Sequence, residues 1–348
     1  MPNSIKLLLS MCVAIFLSTS SIAQTKVDKK IDSKQFFADE NPINVTITTD
    51  ISTLGTKKIK EDYVKGMFNW KLPDGSEFNE QIRLHANGVF RRNYCNTPPL
   101  RLNFHNPTSP GLYGLNNIKL TCACKKGPYY DQLIFKEYLV NKIYNLITDK
   151  SFRVRLASVT IADENNKKKP FTQYAFFTED LKEMAKRNQC KALTTVKVST
   201  EGTNRDQMTL VSIFQYMIGN TDWAVPVNHN IRLIVPKSDT TANPYAIALD
   251  FDASGLVHAD YANPDPQMGT ETVLERVYRG FPRTMPELEK SIKVFFDKKD
   301  KIYSLIKNFT LLNSSNRGEM IDYLDEFYKD ISDPKRIQEL FITNARTQ

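Results

Sequence analysis

Between Gly219 and Gly255 the chain gathers residues that could do chemistry together: Gly219-Asn220-Thr221-Asp222-Trp223, then Asn228-His229-Asn230, then Leu249-Asp250-Phe251-Asp252-Ala253-Ser254-Gly255. Carboxylate and amide oxygens are hard donors of the kind Mg²⁺ takes. A further aspartate not needed by the metal is free to orient a nucleophile. Any one of these residues alone could be capping its own turn. Their grouping around one expected hairpin is what points to a site.

The elements that must position these residues are legible. Residues 208–218 are apolar almost all round, so a helix here is expected to be buried. It should stop at Gly219-Asn220, a helix C-terminal signal. That puts Asp222 on a loop anchored to a rigid helix. Residues 230–235 alternate like a strand, 236–244 are rich in turn formers, and 245–250 read as a second strand. Asn230 starts the first strand and Asp250 ends the second, so a hairpin brings them together.

The rest of the chain supplies the frame. The N-terminal half reads as strands at 43–48, 81–85, 89–92, 100–104, 118–121, 154–161 and 173–177, with one helix at 131–147. Asn87-Gly88 is a strong hairpin signal and predicts that 81–85 pairs with 89–92. After residue 180 the pattern turns mainly helical, with amphipathic stretches at 286–308 and 317–331 and a last helix opened by Asp333-Pro334. The expected division is a β-rich lobe over 42–180 and a mainly helical lobe over 181–348. This is an α+β fold with its cleft between the two.

Residues 1–23 carry a Lys6 n-region, an apolar run from Leu7 to Leu17, and Ser21-Ile22-Ala23 before Gln24. This predicts a cleaved signal peptide and a periplasmic or extracellular protein. Residues 24–41 are expected to be a flexible lead. The apolar run is too short for a dependable bilayer span, and no later stretch approaches a transmembrane helix.

The formal charge is +8, from 47 Lys and Arg against 39 Asp and Glu. The basic residues are scattered among acidic ones, which argues against nucleic acid as a partner. Cys122-Ala123-Cys124 lacks the spacing of a zinc knuckle, whereas a disulfide from Cys95 to Cys122 or Cys124 suits an exported chain. No Gly-x-Ser-x-Gly elbow is present to support a serine hydrolase.

The motif series Phe90-Arg91-Arg92…Cys95…Pro98 to Phe104, Ile118-Lys119-Leu120, Phe152 to Arg155, Ile218 to Trp223 and Leu249 to Leu256 resembles that of the CotH-type spore-coat kinases. It is similar in particular to exported proteins of Bacteroidetes-type bacteria. The resemblance covers about residues 43–280, and its most specific part is the Gly-Asn-Thr-Asp-Trp, His-Asn and Asp-Phe-Asp set. It implies a two-lobed atypical protein-kinase-like fold and a Mg²⁺- or Mn²⁺-dependent phosphotransferase. Such an enzyme uses ATP or another nucleotide and passes a phosphoryl or nucleotidyl group to a protein or small-molecule acceptor.

By that resemblance Asp222 positions the acceptor hydroxyl, and Asn230 and Asp250 hold metal, with Asp252 a further ligand. Lys119 would meet the nucleotide phosphates and pair with Glu137, with Arg101 as its rival. Glu179 falls at the nucleotide-binding hinge. No glycine-rich phosphate loop accompanies these residues. Two other functions fit the same set: a pseudokinase that binds a ligand without turnover, and a metal-dependent phosphoester hydrolase.

Overall fold

The structure is a computed structural model of the 348-residue chain. It describes residues 33–38, 40–57, 62–72, 75–109, 112 and 114–347. The expected signal peptide lies outside the described residues. Part of the lead does not: α1 (Ser33–Ala38) buries Phe36, whose ring meets Trp70 and Phe177 edge-on.

Seven strands form the N-terminal half: β1 (Ile43–Thr49), β2 (Val64–Lys71), β3 (Glu77–Ala86), β4 (Leu100–Asn103), β5 (Asn117–Cys122), β6 (Val154–Asp163) and β7 (Phe171–Thr178). They close into a barrel in the order β1-β2-β3-β4-β5-β7-β6. Every neighbouring pair is antiparallel except β1 and β6, whose parallel pairing from Ile43↔Ala157 to Thr49↔Asp163 closes the ring. Alternation supplies the interior. Ile43, Val45 and Ile47 point inward with Phe68, Leu84, Leu102 and Phe177, while their chain neighbours face out.

This closed barrel overturns the expected two-lobed atypical protein-kinase-like fold, because the β-rich half is no open sheet above a cleft. A second expectation also fails. Residues 90–94 do not pair with β3 but form a short helix, α3 (Phe90–Tyr94), and β3 pairs with β2 and β4. Gly88 has the left-handed φ of +87° that the turn signal predicts. Beyond it the chain coils instead of returning, and a Cys95–Cys124 disulfide ties the end of α3 to the end of β5.

Of the remaining elements, α4 (Pro128–Ile147) packs on the outside of β6 and β7 and the later helices gather on α4. It follows α2 (Ile51–Lys57) and α3, and after it come α5 (Leu181–Arg187), α6 (Arg205–Met217), α7 (Met285–Lys307), α8 (Ser314–Asp330) and α9 (Pro334–Gln338). A small sheet of β8 (Cys190–Leu193), β9 (Ile231–Pro236) and β10 (Tyr245–Ala248) runs in the order β10-β9-β8. The expected hairpin is therefore real but carries a third strand.

α4 is the hinge of the packing. Its buried face includes Leu139, Val140, Ile143 and Tyr144 and shares one core with α6, α7, α8 and the outer face of β6. The barrel interior is a separate core. No helix among the described residues is long and apolar enough to cross a membrane.

Candidate functional site

The site is built from the end of α6, the hairpin ends of β9 and β10, and residues of α3, α4 and the outer face of β5. α6 is buried on nearly all sides and terminates at Gly219, whose φ is +63°. The Tyr323 hydroxyl lies against Gly219 and Gly255, where a Cβ would sit. Glycine is needed at Gly219 both for the backbone and for the space.

The next residues fix Asp222. Asn220 is buried, holds Gln215 at 3.0 Å, and accepts from the Asp222 amide at 3.1 Å. Arg279 donates to the Thr221 carbonyl and, at 2.7 Å, to the Trp223 carbonyl. Arg276 donates to carbonyls of Met217 and Tyr323. Both arginines thus support the loop from behind, and Glu275 caps residues 271–272 instead of pairing with them.

The Asp222 carboxylate is 47 % exposed and carries two partners. His229 Nε2 lies 2.5 Å from one oxygen, and Asn230 Nδ2 donates to the other at 2.9 Å and to the Asp222 carbonyl at 2.8 Å. Asn230 therefore spends its amide nitrogen on Asp222, which leaves its amide oxygen for a cation. The hairpin brings Asn230 beside Asp250 as expected, with Leu249 N–H donating to the Asn230 carbonyl at 3.1 Å. Asn228, Asn230 and Asp250 all have left-handed φ, between 49° and 62°. Such strain costs about 1–3 kcal/mol per residue and gathers at functional sites.

Asp250 and Asp252 flank Phe251, which is fully buried against Phe214 and Tyr144. The ring acts as an anchor that turns both carboxylates toward α4. There Glu137, Asp250 and Asp252 each present an oxygen within 4.8 Å of the other two. Two ligands across a Mg²⁺ ion with bonds of about 2.1 Å stand about 4.2 Å apart. A small inward movement therefore lets the three surround one ion. The donor set is all oxygen, which suits Mg²⁺ or Mn²⁺.

Two cations already attend these acids, and they are paired differently from the expectation. Lys119 Nζ holds Asp250 Oδ1 at 2.6 Å and does not pair with Glu137. Glu137 is paired by Arg91, on α3, at 3.0 Å, and the same Nη1 lies 3.5 Å from Asp252. Arg91 Nη2 also donates to the Cys122 carbonyl. The proposed Lys119–Glu137 pair and its Arg101 rival both give way to Arg91. The reason is that α3 is a helix and turns Arg91 inward. Arg91 and Lys119 thus stand among three carboxylates.

The electrostatics follow from burial and these pairs. Burial pushes the Glu137 carboxyl up, and the neighbouring Asp252 and Asp250 add to this against Arg91. Burial also raises Asp252, with Arg91 opposing. Burial would raise Asp250 too, but the charge and hydrogen bond of Lys119 outweigh it and hold this carboxyl below its usual value. Asp222 is close enough for its charge to act on Asp252. Burial raises the Tyr261 hydroxyl, with Arg91 opposing and Asp252 adding to it, and the Arg91 guanidinium lies 5.9 Å from the centre of the ring.

The other expected residues are placed as follows. Arg101 sits across from Lys119 in the β4–β5 register and has no ion pair among the described residues. Burial lowers the Arg232 guanidinium, which donates to the Asn228 and Ile231 carbonyls at 3.0 and 2.7 Å, and Asp250 and Arg101 are near enough for their charges to act on it. Arg232 had no signal in the sequence beyond its strand. Glu179 is committed elsewhere: its carboxylate takes Arg187 at 2.9 and 3.1 Å and the Arg153 amide, joining β7 to α5. It does not reach the acidic cluster's partners.

No protein-family model, no curated protein and no solved structure matches this chain.

Proposed function

We propose that this protein is a Mg²⁺- or Mn²⁺-dependent phosphotransferase, moving a phosphoryl or nucleotidyl group from ATP or another nucleotide to a hydroxyl-bearing acceptor. The observation that carries this reading is the convergence of Glu137, Asp250 and Asp252, whose oxygens lie within 4.8 Å of one another, beside an exposed Asp222–His229 pair. When bound, the metal would neutralise charge on the transferring phosphate. Glu137, Asp250, Asp252 and the Asn230 amide oxygen would hold it.

Lys119, Arg101 and Arg232 present positive charge to the phosphate oxygens. Asp222 orients the acceptor hydroxyl and takes its proton as the acceptor oxygen bonds to phosphorus and the bond to the leaving nucleotide breaks. His229 and Asn230 hold the two oxygens of Asp222 in place, and the half-exposed carboxylate stays open to an acceptor. The Cys95–Cys124 disulfide supports the export expected from residues 1–23.

A second reading is favoured by one contact. A His–Asp pair with His229 52 % exposed can activate water, which would make the protein a metal-dependent phosphoester hydrolase. Phosphorus-31 NMR on wild-type protein with ATP and Mg²⁺, with and without candidate acceptors, separates the readings. Transfer to an acceptor or to the protein itself supports the phosphotransferase. Release of free phosphate from simple phosphoesters without nucleotide supports the hydrolase. Nucleotide that binds but stays intact, with simple phosphoesters also left whole, supports a binding module and sinks both enzymatic readings.

A further inference from the structure

At the far end of the small sheet a cavity of about 430 Å³ opens among Lys150, Lys186, Lys237, Gln189, Ser238 and Tyr245. No Asp or Glu lines it. Lys150 and Lys237 have no ion pair among the described residues, and Lys186 reaches only Glu183, at 4.0 Å. Asp239, next to Ser238, spends its carboxylate on the amide and hydroxyl of Thr241. Like charges gathered without counter-charge repel one another, which disfavours the arrangement unless an anion joins it.

The convergence is built by the backbone. Gln189 N–H donates to the Lys186 carbonyl at 3.0 Å, and Lys237 N–H donates to the Gln189 carbonyl at 2.9 Å. Gln189 makes that turn with a φ of 56°. The Arg187 guanidinium and the Asn188 amide both donate to the Asp149 carbonyl, which fixes the segment before Lys150. Lys150 Nζ then lies 4.6 Å from the centre of the Tyr245 ring. Lys150 and Lys237 both come near enough to the buried Cys190 for their charge to act on its thiol. Three segments distant in sequence are thus stitched so that each places a lysine on the lining of one cavity.

We propose that this cavity is a second binding site, for the phosphate group of a small organic phosphate. Three ammonium groups, with the Ser238 hydroxyl and the Gln189 amide beside them, supply point charges and donors for a dianion. Tyr245 supplies a flat apolar wall for the organic part. The volume falls in the range of small-molecule sites, larger than a bare ion needs.

The site is separate from the acidic cluster. β9 runs from Ile231, beside Asn230, to Pro236, beside Lys237. At about 3.3 Å per residue the two ends lie about 17 Å apart. The inference therefore does not rest on the phosphotransferase reading.

Isothermal titration of inorganic phosphate, pyrophosphate and a sugar phosphate into the full chain tests it, at fixed ionic strength and without divalent metal. Wild type and Lys290→Gln, which removes an exposed lysine that does not line the cavity, should bind alike. Lys237→Gln and the Lys150→Gln/Lys237→Gln pair should bind at least tenfold more weakly, with unchanged melting temperature when no anion is present. Lys237 is exposed, so the single variant folds if the pair does not. Three results would overturn the proposal: no binding in wild type, equal binding of chloride at the same strength, or binding undiminished in the Lys237→Gln and Lys150→Gln/Lys237→Gln variants.

Discussion

A buried carboxylate such as Glu137 needs a cation beside it, and Arg91 rather than Lys119 provides one. The sequence shows the need, since Glu137 lies on an apolar helical stripe, but not the donor. Lys119 and Arg101 sit on strands nearby, whereas Arg91 comes from a segment that reads as part of a hairpin. Arg91→Met should destabilise the protein by about 3–5 kcal/mol, because it strands Glu137 and crowds Asp252. Adding Glu137→Leu should recover at least half of that loss, since an apolar pair replaces a buried ion pair at little cost. Urea denaturation reads both. A loss under about 1 kcal/mol for Arg91→Met would mean that the guanidinium is dispensable there. Asp222, Asn230, Asp250 and Asp252 were legible because the chemistry and the hairpin agree. Arg232 and the Asp222–His229 contact were not, because each depends on which way a side chain turns.

At the scale of elements, the long periodic segments were readable and the short ones were not. α4, α6, α7, α8 and the β9–β10 hairpin follow their apolar period. The five residues of α3 are too few to show a period, and β2 and β8 carry none that stands out. Two junctions carry predictions. Gly219→Ala forces a left-handed Ala and a Cβ against Tyr323, so it should cost about 2 kcal/mol or more and disturb the Asp222 loop. Tyr323→Phe should relieve part of that cost, and a Gly219→Ala protein as stable as wild type would contradict this account of the α6 end.

At the start of α7, Glu287 accepts from the Thr284 amide and hydroxyl at 2.8 and 2.9 Å and pairs with Arg205 on α6. The Arg205 hydrogen bond, then that of Thr284, holds its carboxyl down at about 2, below the ordinary 4.5. A depressed folded-state value means that the stabilisation is complete above 4.5 and is lost as pH falls through about 2. Glu287→Gln should therefore lower stability by about 1 kcal/mol at pH 7. The gap to wild type should close between pH 4.5 and 2. Melting curves showing a pH-independent gap would contradict the assignment.

The whole molecule is a closed barrel joined to a helical half through α4, with a disulfide tying α3 to the end of β5. Closure was invisible in the sequence because it depends on β1 meeting β6 in parallel across more than a hundred residues, which no local pattern encodes. The Cys95–Cys124 link spans 29 residues and holds α3, and so Arg91, over Glu137. Cys95→Ser/Cys124→Ser should cost about 3–4 kcal/mol and also weaken metal binding, because Arg91 loses its tether. A denaturation midpoint unchanged by the double variant would show that packing alone holds α3. The central claim concerns the acidic cluster itself, and electron paramagnetic resonance of Mn²⁺ reads it directly, since free ion loses its six-line signal on binding. Wild type with ATP should take up about one Mn²⁺. Asp250→Asn should bind it at least tenfold more weakly, and Asp222→Asn should bind it as wild type does. Equal uptake by wild type and Asp250→Asn, or none by either, would contradict the account.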